Sequence, residues 1–296
     1  MERISFYDQI SKNKRNSIFL ILFIVALVVG LVYLIGYMLL PELAIFFLIF
    51  AGVIIVAHVH VSYNYGDRVV LKATNAKPAD PIKHVYLINT VEGLSIAAGI
   101  PPPKVYVVED EEMNAFACGK DPQHASIAVT TGALKNFNRA ELEGVVGHEI
   151  SHIKNYDIRF MTLTAVLVGL VAILSYMLLR TYLYGMRGSR RGGKEGLFIA
   201  AGLILAIIAP IASRLVQAMI SRRREFLADA SSAQLTRYPE GLASALEKIK
   251  DKNLGKMKVS ESISHLFISD PVHSPLDSLF ATHPPLGKRI KILRAM

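Results

Sequence analysis

The sequence predicts a mainly helical membrane protein of the α+β class, in which a small β-sheet accompanies a helical core. Its 296 residues are 52% hydrophobic and only 19% charged, whereas a soluble chain carries about 25% charged residues. The apolar residues are concentrated in uncharged runs of membrane-spanning length. A single cysteine, Cys118, excludes both an internal disulfide framework and zinc binding by cysteines.

The N-terminal apolar runs predict a transmembrane hairpin. Ile18–Leu40 contains no charged residue, and at about 1.5 Å per residue it is long enough to cross a roughly 30 Å hydrocarbon core. Pro41-Glu42 interrupts the run, and Leu43–Val61 forms a second one. Basic residues flank the outer ends but are missing from the turn, which places both ends in the cytoplasm. We therefore assign 1–17 to a cytoplasmic tail and 18–61 to a hairpin of a multi-pass cell-membrane protein.

Two later apolar runs, Met161–Leu179 and Leu197–Ser213, assign 161–220 to a second hydrophobic helix pair. The loop between them is basic, and the positive-inside rule favours keeping such a loop in the cytoplasm. The pair either crosses against that preference or enters the bilayer only partway, and the sequence leaves both possibilities open. The net charge of +9 follows mostly from these flanking residues. Because no aromatic residues are interleaved with them, we expect no nucleic-acid partner.

The remaining segments have the patterning of a soluble domain. A helix that opens at Asn138 and runs to about Lys154 begins with a capping box, in which Asn138 and Glu141 satisfy each other's backbone amides. The other predicted elements are helices over His84–Ala98, Glu225–Leu235 and Gly241–Lys250, strands over Lys104–Val108, Met113–Cys118 and Ser126–Thr131, a mostly irregular stretch over Asp251–Phe280, and a closing basic helix over Pro285–Arg294.

The Asn138 helix contains His148-Glu149-Ile150-Ser151-His152. Residues four apart share one helix face, so both imidazoles can bind a single metal ion. Glu149 lies about 100° around the helix axis, where it can act as a general base toward water. The pattern also arises by chance, but its position inside a capped amphipathic helix favours a metal site.

A catalytic zinc site usually has three protein ligands, and Glu225 is the candidate for the third. Asp229 lies four residues further, on the same helical face. There it can accept the free N–H of a ligand histidine and fix its tautomer. The alternative is a solvated acidic face that pairs with the basic run before Glu225.

Four motifs occur in a familiar order along nearly the whole chain, and the chain resembles the HtpX family of membrane-bound zinc metalloproteases, which are relatives of the CAAX prenyl endopeptidases. The motifs are Asn114-Ala115-Phe116-Ala117, Gly147-His148-Glu149-Ile150-Ser151-His152, Arg224-Glu225-Phe226-Leu227-Ala228-Asp229, and Thr282-His283-Pro284-Pro285 with Arg289.

The resemblance implies a gluzincin-type core, formed by 62–160 and completed by 221–296, that holds one Zn²⁺ per chain. It implies that His148, His152 and Glu225 are the zinc ligands and that Glu149 is the catalytic carboxylate. The implied activity is ATP-independent cleavage of misfolded or damaged membrane proteins, by a site that faces the cytoplasm. Expected partners are these substrates and the lipid bilayer.

Two further roles follow from the resemblance, each with a plain structural alternative. Asn114–Ala117 matches an edge strand that binds an extended substrate by strand addition; the alternative is a core strand with Phe116 buried. His283 matches a residue that stabilises the oxyanion, while Thr282–Pro285 can equally be the start of a helix. Cys118 is expected to be a small buried hydrophobe.

Two rival functions share parts of this pattern. A CAAX-type prenyl-protein endopeptidase has the same site but cuts a lipidated C-terminus, and such relatives have more membrane spans than a chain of 296 residues provides. A non-enzymatic membrane adaptor or channel, with an accidental histidine motif, would contain no stoichiometric zinc.

Overall fold

The computed structural model describes residues 41–166, 222–271 and 283–296, together with position 169 and isolated positions between 15 and 29. The predicted run Leu197–Ser213 lies outside these residues, as do most of Ile18–Leu40 and of Met161–Leu179. The described helices are α1 (Ala44–Ala73), α2 (Val85–Ala98), α3 (Thr131–Asn136), α4 (Arg139–Lys154), α5 (Arg222–Thr236), α6 (Pro239–Lys252) and α7 (Leu286–Leu293). The strands are β1 (Lys77–Pro78), β2 (Lys104–Val108), β3 (Ala115–Gly119) and β4 (Ala125–Thr130). The predicted class, mainly helical with a small sheet, is confirmed.

The sheet has the strand order β1-β2-β4-β3, with β2 and β4 parallel and the other two pairs antiparallel. Within the described sheet β3 is therefore an edge strand. Its side chains alternate between two apolar clusters: Ala115 and Ala117 belong to the cluster that contains the buried face of α4, and Phe116 and Cys118 belong to the cluster that contains the end of α1. Cys118 is fully buried, as predicted.

The capping box predicted for α4 is present. Asn138 Oδ1 accepts a hydrogen bond from the Glu141 amide at 3.0 Å, and a Glu141 carboxylate oxygen accepts one from the Asn138 amide at 2.7 Å. The same oxygen of Glu141 also accepts from Lys248 Nζ at 2.7 Å. The start of α4 is thus held against α6, and this contact fixes the helix that carries the histidine motif.

Several boundaries differ from prediction for local reasons. Helix α1 continues to Ala73 instead of ending at Val61, because no strong helix breaker occurs before Asn75, which has φ 52°. Strand β1 has only two residues, which is too short for a recognisable alternation. Helix α3 begins at a cap that the prediction overlooked, in which the Thr130 side chain accepts from the Ala133 amide.

Among the residues whose placement the structure describes, no helix combines the length and the apolar character that crossing a membrane requires. The transmembrane hairpin over 18–61 and the second helix pair over 161–220 stay predictions.

Candidate metal centre

Three side chains from two helices converge at one point. His148 and His152 come from α4 and Glu225 comes from α5, and the ligand atoms of all three lie within 4.8 Å of one another. The two Nε2 atoms are 3.1 Å apart, and Glu225 oxygens lie 3.4 Å from His152 Nε2 and 3.7 Å from His148 Nε2. Tetrahedral ligands with bonds of 2.0 to 2.1 Å are separated by about 3.3 Å. The three side chains therefore have the spacing of a metal site.

A close helix contact produces this convergence. Ser232 on α5 donates a hydrogen bond to the carbonyl oxygen of Gly144 on α4 at 2.6 Å. A Cβ atom on Gly147 would lie 2.9 Å from Ser232 Oγ, so a glycine at this position lets the two helices approach. Glu225 lies two turns before Ser232 on α5 and consequently faces the histidine pair.

Each histidine is oriented by a carboxylate at its other ring nitrogen. His148 Nδ1 lies 3.0 Å from Asp229 Oδ1, and His152 Nδ1 lies 3.0 Å from Asp157 Oδ2. A carboxylate at Nδ1 places the proton there and leaves the Nε2 lone pair free for a metal. The Asp229 contact has the geometry expected from the sequence. The two Nε2 atoms lie 3.1 Å apart, close enough to share a proton, and a bound cation would take the place of that proton.

Arg289 is completely buried and links α7 to the site. Its Nε and Nη2 donate to the two oxygens of Asp229 at 2.9 and 2.7 Å, and its Nη1 donates to the Ile268 carbonyl oxygen at 2.9 Å. Nη1 also lies 3.3 Å from Glu225 Oε2. The guanidinium group thus positions Asp229, which in turn positions His148.

The buried charged groups around the histidines have a net negative charge that a divalent cation would neutralise. Four carboxylates face two guanidinium groups, so the cluster carries two excess negative charges when every carboxylate is ionised and the histidines are neutral. Burial lowers the pKa of His148 to about 4, which keeps this ring neutral near neutral pH. Burial acts in the same direction on His152, but its hydrogen bonds to Asp157 and Glu225 outweigh it and raise the pKa of His152 to about 10, so a metal ion that binds this ring displaces a proton. The four buried carboxylates are those of Glu149, Asp157, Glu225 and Asp229, and the two buried guanidinium groups are those of Arg224 and Arg289. Donor set and charge together fit a divalent metal ion.

Glu149 lies beside the ligands and is fully buried, and its Oε1 has no hydrogen-bond partner in the described part of the chain. Burial raises the pKa of Glu149 to about 7. A carboxyl group with a pKa near the working pH can both accept and deliver a proton. Glu149 therefore has the environment of a general acid and base.

His283 also reaches the site, although it is distant in sequence from the other members. Its Nδ1 lies 3.1 Å from Glu225 Oε2, and its Nε2 has no partner among the described residues. Its neighbour Thr282 lies outside the residues that the structure describes. His283 is mostly buried, so its free nitrogen points within a site that excludes bulk water.

The predicted substrate strand Asn114–Ala117 overlaps β3, and both sequence interpretations have support. β3 is an edge strand, but Phe116 is only 1% exposed and packs edge-to-face on Phe267 with ring centroids 4.9 Å apart. The open edge of β3 is covered by Phe267–Ser269, which we call the closing segment. Phe116 and Phe267 form an antiparallel bridge, and the Ile268 amide donates to the Ala115 carbonyl oxygen at 2.9 Å. The Asn114 side chain donates to the Ser269 carbonyl oxygen at 3.0 Å.

Sequence reasoning missed Asp157 and the closing segment. Asp157 lies beyond the end of α4, and helical spacing gives no reason to place it near His152. The chain reverses at Tyr156, which has the left-handed φ of 59°, and so returns Asp157 toward the ring. A polar Asn-Tyr pair directly after a helix was the available signal for this turn. The closing segment has no local signal because its partners lie about 150 residues away in sequence.

Replacing Asp157 with Asn is expected to weaken metal binding by roughly 10- to 100-fold, because an uncharged partner holds the His152 ring less firmly and lowers its basicity. Titration against a competing chelator measures this affinity. Asp121→Asn provides the control, since Asp121 also contacts a histidine Nδ1, that of His124, but at an exposed position. Equal affinities for wild type and Asp157→Asn would contradict the role given to Asp157.

Comparison with known proteins points to one family. Residues 81–296 match the model of peptidase family M48. A "Protease HtpX homolog" of Dictyoglomus turgidum is 44% identical over 100% of this chain and 96% of its own length. Another of the same name, from Caldanaerobacter subterraneus, is 46% identical over 84% of each chain. The crystal structure of S. mikatae Ste24p shares the fold, with a TM-score of 0.51 and 18% identity; the match covers 90% of this chain and 61% of that one.

Proposed function

The chain belongs to peptidase family M48, and we propose that it is a zinc-dependent endopeptidase that acts at a membrane on misfolded or damaged membrane proteins. One observation carries the proposal: two imidazoles and a carboxylate converge beside the buried carboxylate of Glu149, one oxygen of which has no hydrogen-bond partner among the described residues. Three protein ligands with an open fourth position are the usual arrangement of catalytic zinc.

The proposed chemistry assigns a task to each group. A zinc ion held by His148, His152 and Glu225 would polarise the scissile carbonyl and lower the pKa of water. Glu149 takes the proton of the attacking water and delivers it to the leaving amine. The unpartnered Nε2 of His283 donates a hydrogen bond, when protonated, to the oxygen that becomes negatively charged. Arg289 acts indirectly, since it positions Asp229.

The membrane part of the proposal is supported by exposed apolar side chains on α1. Six large apolar residues between Ile45 and Val56 are each 60% exposed or more. Such a contiguous apolar surface is typical of a membrane or protein contact. It adjoins the uncharged run Ile18–Leu40, which favours a lipid environment. We propose that these residues anchor the protein and that the catalytic side faces the cytoplasm.

Substrate binding is proposed to use the edge of β3. Main-chain pairing with an extended peptide would explain loose sequence selectivity. Because the closing segment pairs with this edge, a substrate strand must first displace it. The described conformation is then a closed one, and binding includes the opening of Phe267–Ser269.

A disulfide between positions 116 and 267 tests this opening. In a Cys118→Ala background, Phe116→Cys and Phe267→Cys place two cysteines at bridge partners, and neighbours in antiparallel strands are within disulfide range. Oxidation is expected to reduce cleavage in proportion to the cross-linked fraction, and reduction is expected to restore it. Each single cysteine variant is the control, and metal content is measured in both states. Unchanged cleavage by the fully cross-linked protein would contradict the opening step.

Proteolysis by the purified full-length protein in detergent tests the function itself. We expect cleavage of an unfolded membrane protein, loss of cleavage with a chelator, and recovery on addition of zinc. A stoichiometric zinc content and internal cleavage sites identified by mass spectrometry would support a zinc endopeptidase. Cleavage confined to a prenylated peptide would instead indicate a CAAX-type enzyme. A protein without bound metal and without cleavage would contradict the proposal.

A further inference from the structure

A second polar cavity lies away from the metal centre. It has a volume of about 200 Å³ and is formed by the second half of α1, the turn between β3 and β4, and the helical residues 157–166. None of the proposed metal ligands lines it. We call it the basic cavity, because four of its lining residues are Arg68, Lys104, Lys120 and Arg159.

No described carboxylate pairs with any of these four cations. Within the described part of the chain none of them forms an ion pair, although Lys77, Lys135 and Lys248 each do. Arg159 Nε donates to the Lys120 carbonyl oxygen at 2.7 Å, and Lys120 Nζ donates to Asn64 Oδ1 at 3.2 Å. These neutral contacts hold the side chains in place without neutralising them. Asp67 is the one carboxylate among the lining residues, so positive charge remains in excess.

A buried hydroxyl adds an unused hydrogen-bond donor to the lining of the basic cavity. Ser126 lines the cavity and is 1% exposed, and its Oγ has no hydrogen-bond partner among the residues that the structure describes. A buried hydroxyl without a partner costs free energy. An oxygen-rich anion would accept from Ser126 and from the neighbouring cations together. Phosphate oxygens are well suited to this, since they accept several charge-assisted hydrogen bonds.

The position of the cavity on α1 matches the depth of lipid headgroups, an argument that rests on the membrane placement proposed above. The apolar run of α1 ends at Val61, and Ser62–Arg68 extends about 10 Å further along the helix. A headgroup layer is about 5 to 8 Å deep on each side of the hydrocarbon core. Tyr63 and Tyr65 lie in the same segment, and tyrosine is enriched at this depth. The guanidinium carbon of Arg159 lies 5.7 Å from the centre of the Tyr63 ring.

The excess positive charge of the basic cavity, the unpartnered Ser126 hydroxyl and the position of the cavity at headgroup depth all point to one ligand. We propose that the basic cavity binds a phosphate group, and that this group is the phosphodiester of an anionic membrane lipid. Lys104 and Lys120 supply charge, and Ser126 donates to a phosphate oxygen. The lipid headgroup then fixes how the protease domain sits on the bilayer. Free inorganic phosphate shares this chemistry and is the alternative source.

Two binding measurements on the full-length protein separate these sources. Native mass spectrometry after solubilisation from vesicles of phosphatidylcholine, with or without phosphatidylglycerol, reports retained lipid. Thermal unfolding in phosphate or chloride at equal ionic strength reports free phosphate. The Lys104→Gln/Lys120→Gln protein is expected to bind phosphatidylglycerol roughly 30-fold more weakly, given the attraction per lysine near an anionic surface. Ser126→Ala is expected to bind it about tenfold more weakly with the net charge unchanged.

Lys83→Gln/Lys135→Gln is the control, because it removes the same charge outside the basic cavity. Retained lipid in wild type and control, lost in the Lys104/Lys120 and Ser126 variants, would support the proposal. Phosphate-dependent stabilisation without lipid retention would overturn the lipid as the source and keep the phosphate site. Equal binding by all variants in both measurements would overturn the site. Neither measurement depends on catalysis, so both can succeed even if the proposed protease activity is wrong. A protein that does not bind vesicles of either composition would contradict the proposed membrane placement but not the proposed protease activity.

Discussion

A Glu149→Gln protein is expected to bind zinc like the wild type and to cleave about 10² to 10⁴ times more slowly, which is the range of general acid–base contributions. The amide keeps the size of the side chain but can neither take up nor release the proton. Cleavage of an unfolded membrane protein gives the rate, and elemental analysis gives the metal content. Separating these two quantities distinguishes a catalytic role of Glu149 from a role as a ligand.

Glu149→Gln is also expected to leave the free energy of unfolding nearly unchanged. One carboxylate oxygen of Glu149 has no partner, and burial already disfavours its charged form. Glu143→Gln is the control because Glu143 lies on the same helix but pairs with Arg139 at the surface. Cleavage by Glu149→Gln at the rate of Glu143→Gln would refute the assignment of Glu149.

The parts of the site that the sequence predicted are those encoded within one helix. His148 and His152 are four residues apart, and the capping box that starts their helix is a four-residue pattern. Glu225 and Asp229 are likewise four apart, so their shared face was predictable. Their placement against α4 was not, because it depends on the contact between Ser232 and Gly144. The resemblance to a known family supplied that pairing where spacing did not.

The parts that sequence reasoning missed depend on backbone reversals and on distant pairing. Asp157 reaches His152 through the left-handed Tyr156, and the closing segment reaches β3 across about 150 residues. Arg289 stood in a recognised motif, but nothing in its neighbours shows that it would be completely buried against Asp229. Patterns of hydrophobicity describe which face of an element is buried, and they leave open which distant residue meets it.

Arg289→Met is expected to cost about 3 to 5 kcal/mol of unfolding free energy in the metal-free protein, because removing one member of a buried ion pair leaves the other charge uncompensated. Asp229 would lose both of its hydrogen bonds from the guanidinium group, and Glu225 would lose a cation 3.3 Å away. Denaturant titration in mild detergent measures the change. Zinc is expected to reduce the loss, because the metal would neutralise Glu225 even without the arginine.

Arg294→Met is the control, since Arg294 directly follows the end of the same helix. Arg294 also pairs with two carboxylates, those of Glu240 and Glu247 at 3.0 and 2.8 Å, but it is exposed, so its removal is expected to leave stability nearly unchanged. Arg289→Lys is expected to recover only part of the loss, since a single ammonium group cannot reproduce the two-pronged contact with Asp229. Similar losses of unfolding free energy for Arg289→Met and Arg294→Met would show that burial of the ion pair does not explain the contribution of Arg289 to stability. Because Arg289 also positions Asp229, its removal is expected to weaken zinc binding as well as stability, since the His148 ring then loses the carboxylate that orients it.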